Sequence, residues 1–324
     1  MTKRNKTYRS PLFYVGDKYK LYPKISKYFP KTINRFIEPF TGGGSVFLNV
    51  KANKYLLNDI DTNVINIHQF LIEQSENPKV FFDSVFKVIQ KYNLSHSYLK
   101  DIVPQELKDK WKKTYYAKFN VQGFNQLKSD YNLSNEKNTL YLYLLLIYGF
   151  NRMLRFNSKR EYNLPVGNVD FNKNTKTALN NYFHLIRQKN IQFHNLDFLD
   201  FFKQIKFQED DFVYLDPPYL ITFSEYNKLW NEETEKRLLD FLEWLDAQNV
   251  KFAVSNVTHY KGKINHQFLE WSKQYNSYDI KSNYISYHDN SNKEFKEVLI
   301  TNFETEILTP IQKTINFKEV EIYN

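Results

Sequence analysis

The amino-acid sequence predicts a doubly wound α/β domain that is interrupted by an inserted, mostly helical domain. Residues 33–50 contain a short apolar run, a glycine-rich turn and a helical segment, and residues 55–59 form a second apolar run that ends in an acid. This is the order of a βαβ unit with its glycine-rich turn at the carboxyl end of the first strand. The alternation lapses between about residues 66 and 174, which separates an α/β domain of residues 1–65 and 175–324 from an insertion of residues 66–174.

Apolar periodicity predicts the remaining elements. Within the insertion, residues 139–148 are strongly apolar and predict a helix. After the insertion, Asn231 is expected to cap a helix that carries Glu232 and Glu233 in its first turn and leucines at helical spacing. Strands that would complete the sheet are predicted at residues 191–195, 212–215, 251–255, 278–285 and 297–302.

Composition narrows the function classes. The 324 residues include no cysteine, which excludes disulfides and cysteine metal sites, and the seven histidines lack metal-ligand spacing, so no metal is expected. Lys and Arg number 45 against 36 Asp and Glu, and the resulting charge of +9 favours a polyanionic partner. No run of 18 apolar residues occurs, so we expect a cytoplasmic protein with no membrane partner.

The tetrapeptide Asp216-Pro217-Pro218-Tyr219 directly follows a predicted strand. In open α/β sheets ligands bind beyond the carboxyl ends of the strands, so this is a candidate site. The two prolines lack N–H donors and leave carbonyls that only accept, while Asp216 adds a charged acceptor and Tyr219 a flat face. Acceptors bonded to the hydrogens of a conjugated exocyclic amine would draw it toward a nucleophilic geometry. The alternative is a loop that contains Asp-Pro-Pro by chance.

The glycine-rich stretch is a candidate cofactor site. It lacks the Lys-Ser/Thr of a Walker A loop and the G-x-G-x-x-G spacing of dinucleotide-binding proteins, but its three glycines would let a ligand approach the backbone. A plain flexible turn is the alternative. Asp59, which ends the second strand, could accept hydrogen bonds from a ribose, and a role as a helix cap is its alternative. The stretch reads Glu38-Pro39-Phe40-Thr41-Gly42-Gly43-Gly44-Ser45.

Two further stretches complete an ordered set of motifs. One is Pro11-Leu12-Phe13-Tyr14-Val15-Gly16-Asp17-Lys18, and the other is Phe150-Asn151-Arg152-Met153-Leu154-Arg155-Phe156-Asn157, which continues to Asn163-Leu164-Pro165-Val166-Gly167. With the glycine-rich stretch and the tetrapeptide, they resemble in their order the Dam-type, D12 class of DNA adenine-N6 methyltransferases over most of the chain. The resemblance implies a Rossmann-like methyltransferase sheet with an inserted target-recognition domain.

The resemblance also implies a cofactor, S-adenosyl-L-methionine, and roles for individual residues. Lys18 would lie near its charged methionine end, Asp59 near the ribose hydroxyls, and Asp197 near its adenine together with the Phe198 backbone. Asp216 would bond the target amine, and the catalytic set is Asp216, Pro217, Pro218 and Tyr219, with Tyr219 stacked on a flipped base. The full predicted cofactor-binding set is Tyr14, Gly16, Lys18, Glu38, Pro39, Phe40, Gly42, Gly44, Asp59, Asp197, Phe198 and Asp216.

For the recognition segment, the resemblance implies contacts with DNA. Phe150 matches an aromatic position against the duplex, and Asn151 and Arg155 match base-contacting positions, where arginine suits the paired acceptors of guanine. The predicted DNA-binding residues are Phe150, Asn151, Arg155, Asn157 and Arg160. Residues 255–256 and 286–299 resemble weaker C-terminal motifs, whose charged residues are candidates for phosphate contacts.

Two residues depart from the family pattern at positions that often hold glycine. Asp17 would make the N-terminal loop less permissive. Arg160 would add a phosphate contact or alter specificity, and an exposed turn arginine without a role is the alternative.

The expected activity is that of a site-specific, adenine-specific DNA methyltransferase. It would transfer a methyl group from S-adenosyl-L-methionine to the exocyclic N6 amine of a flipped-out adenine in duplex DNA, within a GATC-like or GAT-containing site. The expected partners are double-stranded DNA and, functionally, a restriction endonuclease; a monomer is expected, with a weak dimer as the alternative. Two rival classes stay open: a methyltransferase acting on an amine in RNA or on a glutamine side chain, and a catalytically silent DNA-binding protein.

Overall fold

The structure is a computed structural model that describes residues 6–100, 102–222, 230–280 and 295–305. The strands are β1 (Arg35–Glu38), β2 (Lys54–Asn58), β3 (Ile191–His194), β4 (Asp211–Leu215), β5 (Lys251–Tyr260), β6 (Lys263–Ile264), β7 (Asn276–Ile280) and β8 (Phe295–Thr301). The α-helices are α1 (Tyr22–Ile25), α2 (Ser45–Asn49), α3 (Thr62–Gln74), α4 (Pro78–Lys91), α5 (Gln105–Trp111), α6 (Tyr115–Leu133), α7 (Thr139–Tyr148), α8 (Lys173–Ile186), α9 (Phe198–Lys203), α10 (Glu232–Ala247) and α11 (His266–Ser272). Short 3₁₀ turns occur at Ser26–Tyr28 and Phe150–Arg152.

The chain divides into two compact units. The first consists of residues 1–22 and 35–206, and the second of residues 23–34 and 207–324. The predicted domain boundaries at residues 65/66 and 174/175 fall inside α3 and α8. They mark where the alternation of strands and helices in the sequence lapses and resumes, and they stay a prediction.

The first unit contains a parallel three-stranded arrangement in the order β3-β2-β1. Register pairs such as Ile37 with Leu56 and Leu57 with Phe193 align the strands so that they end together. Helices cover these strands, and β2 is buried almost throughout, as expected of a parallel sheet. The carboxyl ends of β1, β2 and β3 therefore lie at one edge, where the loops that follow them meet.

The helical part of the first unit is built around α7. Asn138 caps this helix by accepting a hydrogen bond from the Tyr141 N–H, and every residue from 142 to 148 is buried. The helix packs against α3, α4 and α6. It ends at Gly149, where a Cβ atom would lie 2.5 Å from the Leu145 carbonyl oxygen. The helix predicted at residues 139–148 is confirmed with the same bounds.

The second unit contains β4-β5-β8-β7, with β6 paired to β5. The pair β4 and β5 is parallel, whereas β5 with β8 and β7 with β8 are antiparallel. Asn231 caps α10 by accepting from the Thr234 N–H, as predicted. Strand β5 extends to Tyr260, five residues beyond its predicted end, because it continues to pair with β8 past a register shift near Val257. Residues 281–285 of a predicted strand lie outside the described residues.

The secondary structure agrees with the mixed α/β class predicted from the sequence. Before residue 66 and after residue 172, strands alternate with helices, and several of these strands pair in parallel. The described part of residues 66–172 carries helices rather than sheet strands. None of the helices in the part of the chain that the structure describes is long and apolar enough to cross a membrane.

Candidate active site

The glycine-rich loop between β1 and α2 is tightly packed within the first unit. Gly42 and Gly44 both have left-handed backbone conformations, with φ of 48° and 74°, which favour glycine. A Cβ atom at Gly43 would lie 2.7 Å from the Cβ of Tyr14, and one at Gly44 would overlap Phe47 Cε1. Glycine is therefore required here by geometry, and the predicted cofactor residue Tyr14 packs on the loop.

The carboxylate of Asp59 holds the first glycine of this loop. Its Oδ2 accepts a hydrogen bond from the Gly42 N–H at 2.7 Å, and its Oδ1 accepts one from the Asp61 N–H at 2.9 Å. Desolvation raises the pKa of Asp59 to about 6, although these N–H donors act to lower it. The helix cap of α3 is Asp61, which accepts from the Asn63 N–H. Asp59 is thus not the helix cap, and its carboxyl group lies against the glycine loop.

A buried histidine that the sequence did not single out holds the carbonyl group of the same glycine. His68, on α3, places its Nε2 2.9 Å from the Gly42 carbonyl oxygen and its Nδ1 2.9 Å from the Tyr182 hydroxyl oxygen. A carbonyl oxygen only accepts, so Nε2 carries the hydrogen and Nδ1 accepts from Tyr182. Burial lowers the pKa of His68 to about 4, which keeps the ring neutral. The ring also stacks on Phe193 at a centroid distance of 5.4 Å.

Asn58, the last residue of β2, joins the loops that follow β1 and β3. Its Nδ2 donates to the carbonyl oxygens of Pro39 at 3.1 Å and Leu196 at 3.0 Å, and its Oδ1 accepts from the Leu196 N–H at 3.0 Å. The side chain is almost fully buried. A single amide thereby fixes the spacing of two loops that carry predicted cofactor residues.

The loop after β3 presents Asp197 and Phe198. Asp197 caps α9 by accepting from the Leu199 N–H at 3.0 Å. The buried ring of Phe198 lies 5.5 Å from the ring of Phe40, centroid to centroid. Because β1, β2 and β3 end at the same edge, Glu38, Asp59 and Asp197 are brought to that edge as the sequence predicts, and Glu38 is buried there.

The N-terminal loop holds Asp17, the residue that departs from the family pattern, in an ordinary backbone conformation. Gly16 has a φ of 83° with open space where a Cβ atom would stand. Asp17 is absent from the residues with left-handed backbone, so an aspartate is accepted without strain, and its Oδ1 accepts from the Tyr19 N–H at 3.1 Å. Lys18 is buried. The expectation that Asp17 makes the loop less permissive toward a ligand stays a prediction.

In the second unit, the tetrapeptide directly follows β4. The Tyr219 hydroxyl donates to Oδ1 of Asp216 at 2.8 Å and lies 3.2 Å from Oε1 of Glu297, a buried residue of β8. Desolvation and the two carboxylates raise the pKa of Tyr219 well above its usual value. Pro217 is buried, whereas Asp216 and Tyr219 are half-buried and remain accessible. Sequence reasoning included Glu297 only within a longer C-terminal stretch.

The predicted motif at residues 255–256 supports the second unit from within. Asn256 is buried on β5, and its Nδ2 donates to Oε1 of Glu235 at 3.0 Å. The same oxygen accepts from Asn265 Nδ2 at 2.9 Å, and burial raises the pKa of Glu235. These contacts join β5 to α10 and to the start of α11, which is a packing role. Residues 286–294 of the other C-terminal motif lie outside the described residues.

The recognition segment presents side chains on an irregular backbone. Phe150 exposes half of its surface. Asn151 and Arg152 follow with left-handed backbone conformations, φ 54° and 51°. The chain then forms a small hairpin in which Phe156 pairs with Tyr162.

The predicted DNA-binding residues of this hairpin differ in how many of their side-chain atoms are already hydrogen-bonded within it. Arg155 donates from Nε to Oδ1 of Asn163 at 2.8 Å, which orients its guanidinium group. Asn157 is taken up by the turn, since its Oδ1 accepts from the Glu161 N–H at 3.0 Å and its Nδ2 donates to the Glu161 carboxylate at 2.8 Å. Arg160 is exposed at the tip with a φ of 61°.

A comparison with protein families decides the identity of the chain. A family model for the D12 class N6 adenine-specific DNA methyltransferases matches residues 14–285. The chain belongs to this family. The family predicted from the sequence is thereby confirmed, as is the α/β fold class.

Curated relatives of this D12 class chain carry related names. Type II methyltransferase M.FokI of Planomicrobium okeanokoites is 37% identical over 311 residues, covering 93% of this chain and 44% of that relative. Modification methylase StsI of Streptococcus sanguinis is 34% identical over 311 residues, covering 92% and 43%. DNA adenine methylase of Haemophilus influenzae is 31% identical over 228 residues, covering 68% and 67%. The chain spans less than half the length of the first two of these relatives.

The geometry fits the cofactor that D12 class methyltransferases generally use, S-adenosylmethionine. Glu38 ends β1, Asp59 follows β2 and Asp197 lies in the loop after β3, so three carboxyl groups lie at the carboxyl ends of the three parallel strands of the first unit. Among the residues that the structure describes, no three His, Asp or Glu side chains are grouped to hold a metal ion. The roles of individual residues toward cofactor and DNA stay predictions.

Proposed function

We propose that the chain transfers a methyl group from S-adenosyl-L-methionine to the N6 amine of a flipped-out adenine in duplex DNA. The observation that carries the proposal is the tetrapeptide after β4, in which a half-buried carboxylate, acceptor-only proline carbonyls and a tyrosine ring are brought together. Family membership supports adenine in DNA as the target. Double-stranded DNA is accordingly the proposed substrate.

The cofactor would be held by the first unit. When bound, S-adenosylmethionine supplies an activated methyl group on a sulfonium ion, so no metal is needed to activate it. Glu38 and Gly42 would hold the methionine portion, Asp59 the ribose hydroxyls, and Asp197 the adenine. The Asp59 carboxylate already accepts the N–H groups of Gly42 and Asp61 and also interacts with that of Ile60. With about four lone-pair sites, it keeps one for a ribose hydroxyl.

The target amine would be activated by the second unit. The Asp216 carboxylate and the Pro217 carbonyl would accept the two amine hydrogens, which frees the nitrogen lone pair for attack on the methyl carbon. Alignment of the nitrogen with the methyl–sulfur bond then supplies much of the rate acceleration. Tyr219 would stack on the base, and its hydroxyl bond to Asp216 holds the carboxylate in place. The amine proton leaves after transfer, through Asp216 or water.

The target would be selected by the recognition segment. Flipping an adenine costs a few kcal/mol of unstacking, which contacts from Phe150, Asn151, Arg155, Asn157 and Arg160 would offset. The guanidinium of Arg155 is oriented in advance by Asn163, as a bidentate contact with guanine requires. We propose a GATC-like or GAT-containing site, a functional pairing with a restriction endonuclease, and a monomeric enzyme.

The test is methyl transfer from labelled S-adenosylmethionine to matched duplex DNA, RNA and protein substrates. We expect label in duplex DNA alone, recovered as N6-methyladenine. Asp216→Ala is expected to abolish transfer while cofactor binding, measured by calorimetry, is retained. Label in RNA or on glutamine would support the rival methyltransferase classes, and DNA binding without transfer would support a silent DNA-binding protein. Normal turnover by Asp216→Ala would overturn the catalytic assignment.

A further inference from the structure

Two arginines from distant parts of the sequence share one aromatic ring in the first unit. The guanidinium carbon of Arg152 lies 4.0 Å from the ring centroid of Phe13, and that of Arg9 lies 4.6 Å from it. Phe13 itself is buried. The N-terminal loop and the recognition segment are thereby joined through stacked cations, which fixes the position of both positive charges.

The two guanidinium groups repel each other, and nearby carboxyl groups compensate this repulsion only in part. Neither guanidinium forms an ion pair with any residue in the described ranges. Burial lowers the pKa of Arg152 to about 10, and the charge of Arg9 lowers it further, while Tyr143 and Asp170 act in the opposite direction. The Asp17 carboxyl attracts Arg9, but two like charges on one ring, one of them partly removed from water, still destabilise the free protein. A negatively charged ligand between them would relieve this repulsion.

The backbone at this cluster is also held in a rarely populated conformation. Phe13, Asn151 and Arg152 are non-glycine residues with left-handed backbone, at φ of 50°, 54° and 51°. Such conformations cost free energy and persist where surrounding structure enforces them, which is common at binding sites. Here three of them place the same pair of cations.

We propose that Arg9 and Arg152 form a clamp for one backbone phosphate of the DNA substrate. The inference rests on the proposed function, because it takes DNA as the ligand. A phosphate offers several anionic oxygens, enough for the two guanidinium groups that contact the Phe13 ring, whereas a guanine edge is served by a single arginine fork. Arg152 lies between Asn151 and Arg155 in the recognition segment. A phosphate contact at this place would set the register in which its neighbours meet the bases.

The experiment measures how DNA affinity depends on salt. The probes are two fluorescent duplexes of equal length, one containing the methylation site found by mapping and one without it, titrated with the full chain over a series of KCl concentrations. Arg9→Gln and Arg152→Gln should each lower the slope of log K against log salt on both duplexes, by no more than about 0.9 in magnitude, because the two arginines share one phosphate. Arg152→Lys should keep the slope, because the charge is retained.

Arg187→Gln is the matched control. Arg187 is an exposed arginine at the end of α8, and its Nε donates to the Phe183 carbonyl oxygen. Replacing it by glutamine lowers the net charge by the same amount as the Arg9 and Arg152 substitutions do. Its salt slope should be unchanged. Circular dichroism establishes that each variant is folded, and Arg9, being exposed, keeps the test usable if Arg152→Gln fails to fold.

Three results would overturn the clamp. The first is an unchanged salt slope in both glutamine variants. The second is a reduced affinity on the site-containing duplex only, which indicates a contact with bases. The third is a reduced salt slope in Arg152→Lys. Failure of the proposed function is separable from these. In that case the unaltered chain would methylate no DNA, while the salt slope on the duplex without a site would still measure the phosphate contact.

Discussion

The hydroxyl oxygen of Tyr219 lies 3.2 Å from Oε1 of the buried Glu297. The same hydroxyl donates its hydrogen to Asp216 at 2.8 Å. One hydroxyl hydrogen serves one acceptor at a time, so the two carboxylates compete for it unless a further proton is shared among the three groups. Glu297 is thereby tied to the acceptor that we propose for the target amine, although it is a strand residue 78 positions beyond Tyr219 in the chain.

Glu297→Gln is expected to lower kcat without weakening cofactor binding. The substitution keeps size and removes the charged acceptor that competes with Asp216 for the Tyr219 hydroxyl hydrogen. That hydrogen is then held by Asp216 alone, which weakens the carboxylate as an acceptor for the target amine. A hydrogen bond to a charged group contributes about 1.5–3 kcal/mol, which corresponds to a loss of about tenfold to a hundredfold. Steady-state kinetics on duplex DNA and calorimetry with S-adenosylmethionine make the measurement.

Tyr219→Phe provides the control, since it keeps the ring for stacking and removes the hydroxyl. If Glu297 acts through Tyr219, the double variant should be no slower than Tyr219→Phe alone. Additive losses in kcat would contradict this coupling, as would a Glu297→Gln enzyme with unchanged kcat.

His68 is expected to give the folded state a measurable pH dependence. Its pKa in the folded protein, about 4, lies below the value of 6.5 expected when unfolded. The unfolded state therefore binds more protons between these values, so the stabilising contribution is complete above about pH 6.5 and is lost as the pH falls toward 4. The free energy of unfolding should rise relative to His68→Gln by up to about 3 kcal/mol across this window.

Urea unfolding of both proteins at intervals from pH 4.5 to 8 makes this measurement. Asp59 titrates in part of the same range with the opposite sign, because its pKa is raised to about 6 and protonation favours its folded form. Because Asp59 is present in both proteins, its contribution cancels in the comparison with His68→Gln. A stability difference independent of pH would refute a buried neutral histidine. Weaker S-adenosylmethionine binding by His68→Gln is expected as well, because Gly42 loses its carbonyl partner.

Gly44→Ala is expected to destabilise the first unit and to weaken cofactor binding. Its Cβ would overlap Phe47 and lie 2.9 Å from Cε1 of His68, in a backbone with φ of 74°. Overpacking of this kind costs about 1–3 kcal/mol. Gly262→Ala is the matched control, since φ is 75° there and the space is open. Thermal unfolding of the two variants separates the steric cost of the added Cβ atom from the cost of a left-handed backbone. An equal loss of stability in both variants would contradict the packed loop.

Elements whose formation depends on neighbouring residues could be predicted from the sequence. The long-range contacts that position the candidate site could not. The cap at Asn231 and the apolar helix α7 follow from residues within a few positions of each other. His68 reaches Gly42 across 26 positions, and its partner Tyr182 lies 114 positions away. No short pattern marks such a residue, because its role depends on how helices α3 and α8 pack. Glu297 was missed for the same reason.

Arg155→Ala is expected to relax or abolish site recognition while leaving the chemistry of transfer intact. A bidentate arginine–guanine contact discriminates by about 1–3 kcal/mol, so preference for the guanine position should fall about fivefold to a hundredfold. Asn163→Ala is the informative companion, because it removes the partner that orients the Arg155 guanidinium at 2.8 Å and leaves the arginine in place. We expect it to show a smaller loss at the same position. Sequencing of methylated genomic DNA reports the preference of each variant directly. An unchanged site preference in Arg155→Ala would remove Arg155 from base recognition, and a larger loss in Asn163→Ala would assign the effect to the hairpin fold.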